Sequence, residues 1–157
     1  MNIRFTDTSV EFDEMDAFIS GLLLNLPEAA NADDEIAGRR IFPGLKSNDK
    51  AANAEWTEFV EPGMRDLFRS NLDIVAEDLK QVRTDEGIST LSVPVAHAAA
   101  WIHTLNQARL ALGARHNVTE EDMESSRMPE DMARGLALLQ IEIYGEILSV
   151  LLAGMDF

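Results

Sequence analysis

The 157-residue sequence contains no cysteine, which excludes disulfide bonds, thiolate metal sites and thiol nucleophiles. Basic residues are scarce, because 13 lysines and arginines stand against 28 acids and leave a formal net charge of −15. A field of this sign repels phosphate backbones and anionic lipid surfaces, so we expect neither nucleic-acid nor membrane binding. Residues 1–16 lack the basic start and apolar stretch of a signal peptide, and we therefore expect a cytoplasmic protein.

Sequence motifs for catalysis and cofactor binding are also missing. There is no Gly-x-Ser-x-Gly, P-loop or Gly-x-Gly-x-x-Gly motif. None of the three histidines has a glutamate three residues before it, as the di-iron bundle pattern requires. His97 and His103 fall on the polar side of a predicted helix, where we expect solvated side chains. We accordingly predict no metal and no cofactor, and we favour a non-enzymatic function.

Helical periodicity dominates the rest of the chain. Apolar stripes at helical spacing follow one another over residues 15–26, 49–83, 93–113 and 129–154. The length and the 46% apolar fraction suit one domain, 1–157. The sequence thus predicts an all-α, single-domain bundle of five or six helices. Loose alternation near the start could add a short N-terminal β-hairpin or an extended arm.

Capping residues set the expected helix boundaries. Asp13 is the predicted N-cap of the first long helix, and Ser92 caps a later one that has Pro94 in its first turn. Thr119 is the predicted N-cap of a short acidic helix. Pro62 and the glycine after it predict either two helices or one kinked helix.

The last stripe, 129–154, is apolar over most of its circumference. Such a helix is typical of the centre of a bundle. The alternative is that one of its faces covers a second subunit.

Arg109 places a permanent charge on an apolar helix face. On a helical wheel it falls between Leu105 and Leu112, and near Ile102. An unpaired buried charge costs several kcal/mol, so we expect Arg109 to have a carboxylate partner. The substitution Arg109→Met should then destabilise the protein by about 3–5 kcal/mol, because it orphans that carboxylate.

The candidate partners of Arg109 lie on two other segments. Glu142 and Glu146 form a polar strip on the last helix, four residues apart on one face, and one guanidinium could engage both. Glu55 is a rival partner, as is Glu58. We interpret the cluster as an ion pair that fixes helix register. The alternative is a site for an anion or a peptide terminus.

Residues 100–123, AWIHTLNQARLALGARHNVTEEDM, resemble the signature of a bacterial domain-of-unknown-function family, number two thousand and seventeen. The signature has a tryptophan-containing helix, then Leu-Asn, Arg-Leu-Ala-Leu-Gly and a further arginine. A second block, 39–56, matches at Arg40, Pro43 and Glu55. Gln107 departs from the family pattern, since an acid is expected there. The resemblance implies a mostly helical cytoplasmic protein without established catalytic residues.

These observations favour a non-catalytic protein-interaction or regulatory module that binds a protein partner or a second copy of itself. The alternative is an enzyme or small-anion-binding protein that uses a buried Arg/Glu cluster. In both cases the candidate residues are Arg40, Glu55, Asn106, Arg109, Arg115, Glu142 and Glu146.

Overall fold

A computed structural model describes residues 1–125 and 131–155. The start of the last predicted helix, at 129–130, lies outside the described residues. In chain order the elements are β1 (Asn2–Phe5), β2 (Ser9–Met15), α1 (Ala17–Leu24), α2 (Leu26–Ala30), α3 (Glu35–Ile41), α4 (Lys50–Glu55), α5 (Glu61–Leu79), β3 (Arg83–Asp85), β4 (Ile88–Pro94), α6 (Ala98–Arg115), α7 (Glu120–Glu124) and α8 (Met132–Gly154). A π-helical segment (Trp56–Val60) joins α4 to α5, and a 3₁₀ turn (Val95–His97) precedes α6.

The all-α prediction is wrong, because the protein is a mixed α/β structure. It is 66% helical and 14% strand. The strands form one antiparallel sheet in the order β1-β2-β4-β3. The N-terminal hairpin that the sequence allowed is present as β1 and β2. Residues 84–93, which the sequence predicts as a turn followed by a short extended piece, form most of a second hairpin, β3 and β4, whose pairing was not predicted.

The second hairpin replaces a predicted helix start. Ser92 lies within β4 instead of capping a helix, and its hydroxyl donates to Glu11 on β2 over 2.9 Å. The turn residues Glu86 and Gly87 both have positive φ, at 50° and 80°, which a type I′ hairpin requires. Pro94 ends the strand, and α6 begins only at Ala98.

Three other boundary predictions have different outcomes. Asp13 is not an N-cap, since it lies in β2 and pairs with Arg4 at 3.0 Å, while Asp16 caps α1. Thr119 does cap α7, within a complete capping box. The sequence also predicts an interruption at Pro62, and the helix type changes beside it, because the π-helical segment ends at Val60 and α5 begins at Glu61.

The core lies between the sheet and α6. Phe12 of β2 and Trp101 of α6 are both 1% exposed, with ring centroids 5.4 Å apart. The central helix is α6, which packs against α2, α3, α5 and α8. The last helix, α8, is therefore not central. It lies beside α6 and donates one hydrogen bond to α1, from Tyr144 Oη to the Leu22 carbonyl at 2.6 Å.

The outer face of α8 remains partly open. Met132, Leu136 and Val150 are exposed there. The length and apolar composition of α8 would also suit a membrane span, and core helices of soluble proteins have the same properties.

Candidate functional site

The predicted ion pair of Arg109 does not form. Within residues 1–125 and 131–155, Arg109 has no carboxylate within salt-bridge distance, and its buried Nε atom has no hydrogen-bond partner. Glu142 and Glu146 are exposed on α8. The predicted buried ion pair between Arg109 and these glutamates is therefore wrong.

The guanidinium of Arg109 instead rests on a glycine of α8. A Cβ atom at Gly145 would lie 3.3 Å from Nε, 3.4 Å from Cζ and 3.5 Å from Nη2. Similar distances to three atoms mean that the flat face of the guanidinium covers the glycine. Successive helix residues are rotated by about 100°, so Glu142 and Glu146 lie about 60° and 100° around the helix from Gly145. Both carboxylates consequently point past Arg109 into solvent.

An open cleft adjoins this guanidinium. One part is lined by Arg109, Arg40 of α3 and the segment that leads into α7. A second part shares Arg109 and adds Asn106 and residues of α7 and α8. We call the two parts together the Arg109 cleft. Its lining includes Arg40, Asn106, Arg109, Leu110, Gly113, Val118, Thr119, Glu120, Met123, Glu124 and Ile141.

The part of the Arg109 cleft beside α3 has charges that suit an anion. Arg40 is exposed and, in the described part of the chain, has no ion pair, so two guanidinium groups without an ion pair line this part. Glu120 and Glu124 of α7 line the other part. Arginine binds carboxylate and phosphate through paired, charge-assisted hydrogen bonds. Leu110 and Val118 supply apolar surface in both parts. The arrangement can therefore bind an anionic group that carries an apolar body.

Arg115 does not belong to this cleft. Its Nη1 donates to the Ala29 carbonyl at 2.9 Å, and its Nη2 donates to the Asn31 carbonyl and, at 2.6 Å, to Asp34 Oδ1. The bond from Arg115 is the main reason that the pKa of Asp34 falls from 3.8 to about 2. Arg115 thus fastens α6 to the connection between α2 and α3, and its donors are already used.

Sequence reasoning missed the arginine that holds the α7 wall of the cleft. Arg134 donates to the carbonyls of His116 and Asn117 and pairs with Asp122. Hydrogen bonds from the backbone and hydroxyl of Thr119 lower the pKa of Asp122. The sequence pattern Thr119-x-x-Asp122 predicts the capping box, but no pattern predicts that Arg134 of α8 pairs with Asp122.

Asp78, a buried carboxylate outside the cleft, changes the interpretation of one predicted histidine. The side chain of His97 is only partly solvated, since 37% of it is exposed and its Nδ1 lies 2.9 Å from Asp78 Oδ2. Asp78 is buried and also accepts a hydrogen bond from Trp101 Nε1 at 2.9 Å. The 3₁₀ turn before α6 brings His97 against the end of α5. His103 is exposed, in agreement with the prediction.

The remaining predicted site residue, Glu55, is exposed at the end of α4, and it has no ion pair with a described residue. In residues 1–125 and 131–155, no three histidine, aspartate or glutamate side chains are grouped so that they could hold a metal ion.

The family described as domain of unknown function (DUF2017) matches residues 5–155. No curated protein and no solved structure matches the chain.

Proposed function

Because the chain belongs to the DUF2017 family, whose function is unknown, we propose a function from the site itself. We propose that this protein is a non-catalytic binding module whose Arg109 cleft binds a carboxylate group of a protein partner. The observation that carries the proposal is the unpaired guanidinium of Arg109, supported by Gly145 and open to the cleft.

Arg109 has a buried hydrogen-bond donor without a partner among the described residues before any ligand binds. A buried donor without a partner costs about 1–3 kcal/mol, and the described residues do not compensate this cost. A carboxylate in the cleft would neutralise the charge and use the free donors. Contact with Gly145 fixes the guanidinium plane before binding, which reduces the ordering cost of association.

The apolar lining favours a peptide ligand over an inorganic ion. Leu110, Val118 and Ile141 line the part of the cleft next to Arg109, where an apolar side chain beside a carboxylate would fit. The net charge of −15 disfavours nucleic-acid phosphates as the ligand. The proposal includes the cytoplasmic location that the sequence led us to expect.

A titration with paired peptides tests this function. The probes are a short peptide that ends in leucine with a free carboxylate, the same peptide with an amidated end, acetate and inorganic phosphate. The readouts in NMR spectra are the side-chain Nε–H resonance of Arg109 in the wild-type protein and the backbone amide resonances of Leu110 and Val118 in every variant. We expect the free-carboxylate peptide to shift these resonances at lower concentration than acetate does, and we expect no shift with the amidated peptide.

Two variants identify the arginines responsible. Arg109→Met should abolish binding, and Arg40→Met should weaken it. Arg39→Met is the matched control, because Arg39 lies on the same helix but pairs with Glu35 and does not line the cleft. If phosphate binds as tightly as the peptide, the ligand of the cleft is a small anion and not a protein partner. Equal binding by Arg109→Met and the wild-type protein would refute the site altogether.

A further inference from the structure

A second cavity of about 200 Å³ lies between the α2–α3 connection, α5 and α6. It shares no lining residue with the Arg109 cleft. Phe42, Phe68 and Leu72 provide its apolar wall, and the rings of the two phenylalanines are 5.0 Å apart. Gln107 of α6 reaches it from the core side.

Gln107 presents an unused acceptor to this cavity. Its side chain is 7% exposed, and its Nε2 atom donates to the Ala30 carbonyl. A carbonyl oxygen can only accept, so this bond fixes the orientation of the amide. The side-chain oxygen of Gln107 is then left without a partner among the described residues, on a side chain that lines the cavity. This oxygen is not among the sealed, unpartnered side-chain atoms of the described residues, so it is open to the cavity and can accept from a ligand there.

The charged groups at the rim leave one open carboxylate. Arg69 is neutralised by Asp33 at 3.0 Å. Arg65 lies over the Phe42 ring at 4.3 Å from its centroid, and its charge is paired with Glu61 at 3.7 Å. Asp73 lines the cavity and has no ion pair within the described part of the chain. The unsatisfied groups are therefore both acceptors, one neutral and one negative.

We propose that this cavity binds a primary ammonium group on a short apolar stem. The ammonium donates to the oxygen of Gln107 and to Asp73, and the stem packs against Phe68 and Leu72. An ammonium group has three donors and no acceptor, which matches the two open acceptors. The same chemistry is found in a lysine side chain of a partner protein and in a free alkylamine.

The test uses three probes of similar shape: n-butylammonium, n-butanol and butyrate. The side-chain amide resonances of Gln107 in NMR spectra report binding at this position. We expect n-butylammonium to shift them in a saturable way, and we expect no saturable shift with butanol or butyrate. Nα-acetyl-lysine amide, which keeps a free side-chain ammonium group, serves as a fourth probe. Tighter binding of this probe than of n-butylammonium identifies a lysine side chain as the ligand, and the reverse order identifies a free amine.

A matched pair of variants separates a site from general attraction to an acidic protein. Asp73→Asn removes the open carboxylate from an exposed position, and we expect about a tenfold loss of butylammonium affinity, the factor that corresponds to about 1.4 kcal/mol. Asp66→Asn removes an equally exposed acid from the same helix, two turns away and outside the cavity, and should change nothing. Equal weakening by both variants, or equal shifts by butanol and butylammonium, would overturn the proposal.

Discussion

Replacement of Arg115 by methionine is the sharpest test of how α6 is attached to the rest of the fold. The side chain is 23% exposed and makes four hydrogen bonds, two to backbone carbonyls and two to Asp34. Arg115→Met keeps most of the apolar stem and removes all four bonds. The carbonyls of Ala29 and Asn31 then lose a charged donor.

The expected loss of stability is about 3 kcal/mol. The two carbonyl bonds should contribute about 2 kcal/mol together, because hydrogen bonds to charged groups are stronger than neutral ones. Asp34 is 44% exposed, so solvent screening reduces its share to about 1 kcal/mol. Arg39→Met is the control, since Arg39 and its partner Glu35 are both largely exposed and the pair should contribute less than about 1 kcal/mol.

The pH dependence separates the two parts of this loss. The folded-state pKa of Asp34 is about 2, below its ordinary value of 3.8. The ion pair therefore contributes fully above about pH 4 and is lost as the pH falls toward 2. We expect the difference in stability between wild type and Arg115→Met to shrink by about 1 kcal/mol between about pH 5 and pH 2.

Urea denaturation followed by far-ultraviolet circular dichroism measures these free energies. Asp34→Asn, alone and combined with Arg115→Met, completes a double-mutant cycle, and the coupling energy should be about 1 kcal/mol. A loss no larger than that of Arg39→Met, together with zero coupling, would show that Arg115 is not a structural fastener.

Three further substitutions have distinct expected outcomes. Arg109→Met should raise the free energy of unfolding by about 1–3 kcal/mol in urea denaturation, because it removes a buried donor that has no partner in the described part of the chain and orphans no carboxylate there; a loss of about 3 kcal/mol or more would instead indicate a buried ion pair. Gly145→Ala should stabilise α8 by up to about 1 kcal/mol yet weaken carboxylate binding in the peptide titration, since the new Cβ displaces the guanidinium; unchanged affinity would contradict the support role of Gly145. Asp78→Asn should lower stability by about 1–3 kcal/mol in thermal denaturation, because the buried acceptor of Trp101 and His97 loses its charge; an unchanged melting temperature would count against that network.

The helices could be predicted from sequence, and half of the sheet could not. Long apolar stripes mark α5, α6 and α8, because burial of one helix face requires that spacing. β3 has only three residues, all exposed, so it has no apolar alternation to detect. In β4 the buried face includes Ser89 beside Leu91 and Val93, which weakens the apolar alternation. Ser92 and Pro94 also have the spacing of a helix N-cap followed by a proline in the first turn. Pairing with β2, which is far away in sequence, stabilises β4, so the residue pattern of β4 alone does not predict the strand.

The candidate site was predictable in position but not in chemistry. The helical wheel correctly directed Arg109 toward α8, yet the rotation of α8 about its axis decides whether a glutamate or a glycine meets it. That rotation depends on packing across the whole helix and is not visible in a spacing of four residues. Arg115 was selected as a site residue because it matches the family signature. Its structural role could not be predicted, because its partner Asp34 lies 81 residues away and no local pattern connects them.

The two tryptophans are placed so that fluorescence can report two regions of the fold separately. Trp101 is sealed in the core, where its indole nitrogen is held by Asp78. Trp56 is half-buried at the start of the π-helical segment. A Trp56→Phe variant would therefore emit only from the core, and the difference from wild type would isolate the signal of the segment between α4 and α5. Any loosening of that segment ahead of global melting would become visible as an early spectral shift confined to the wild-type protein.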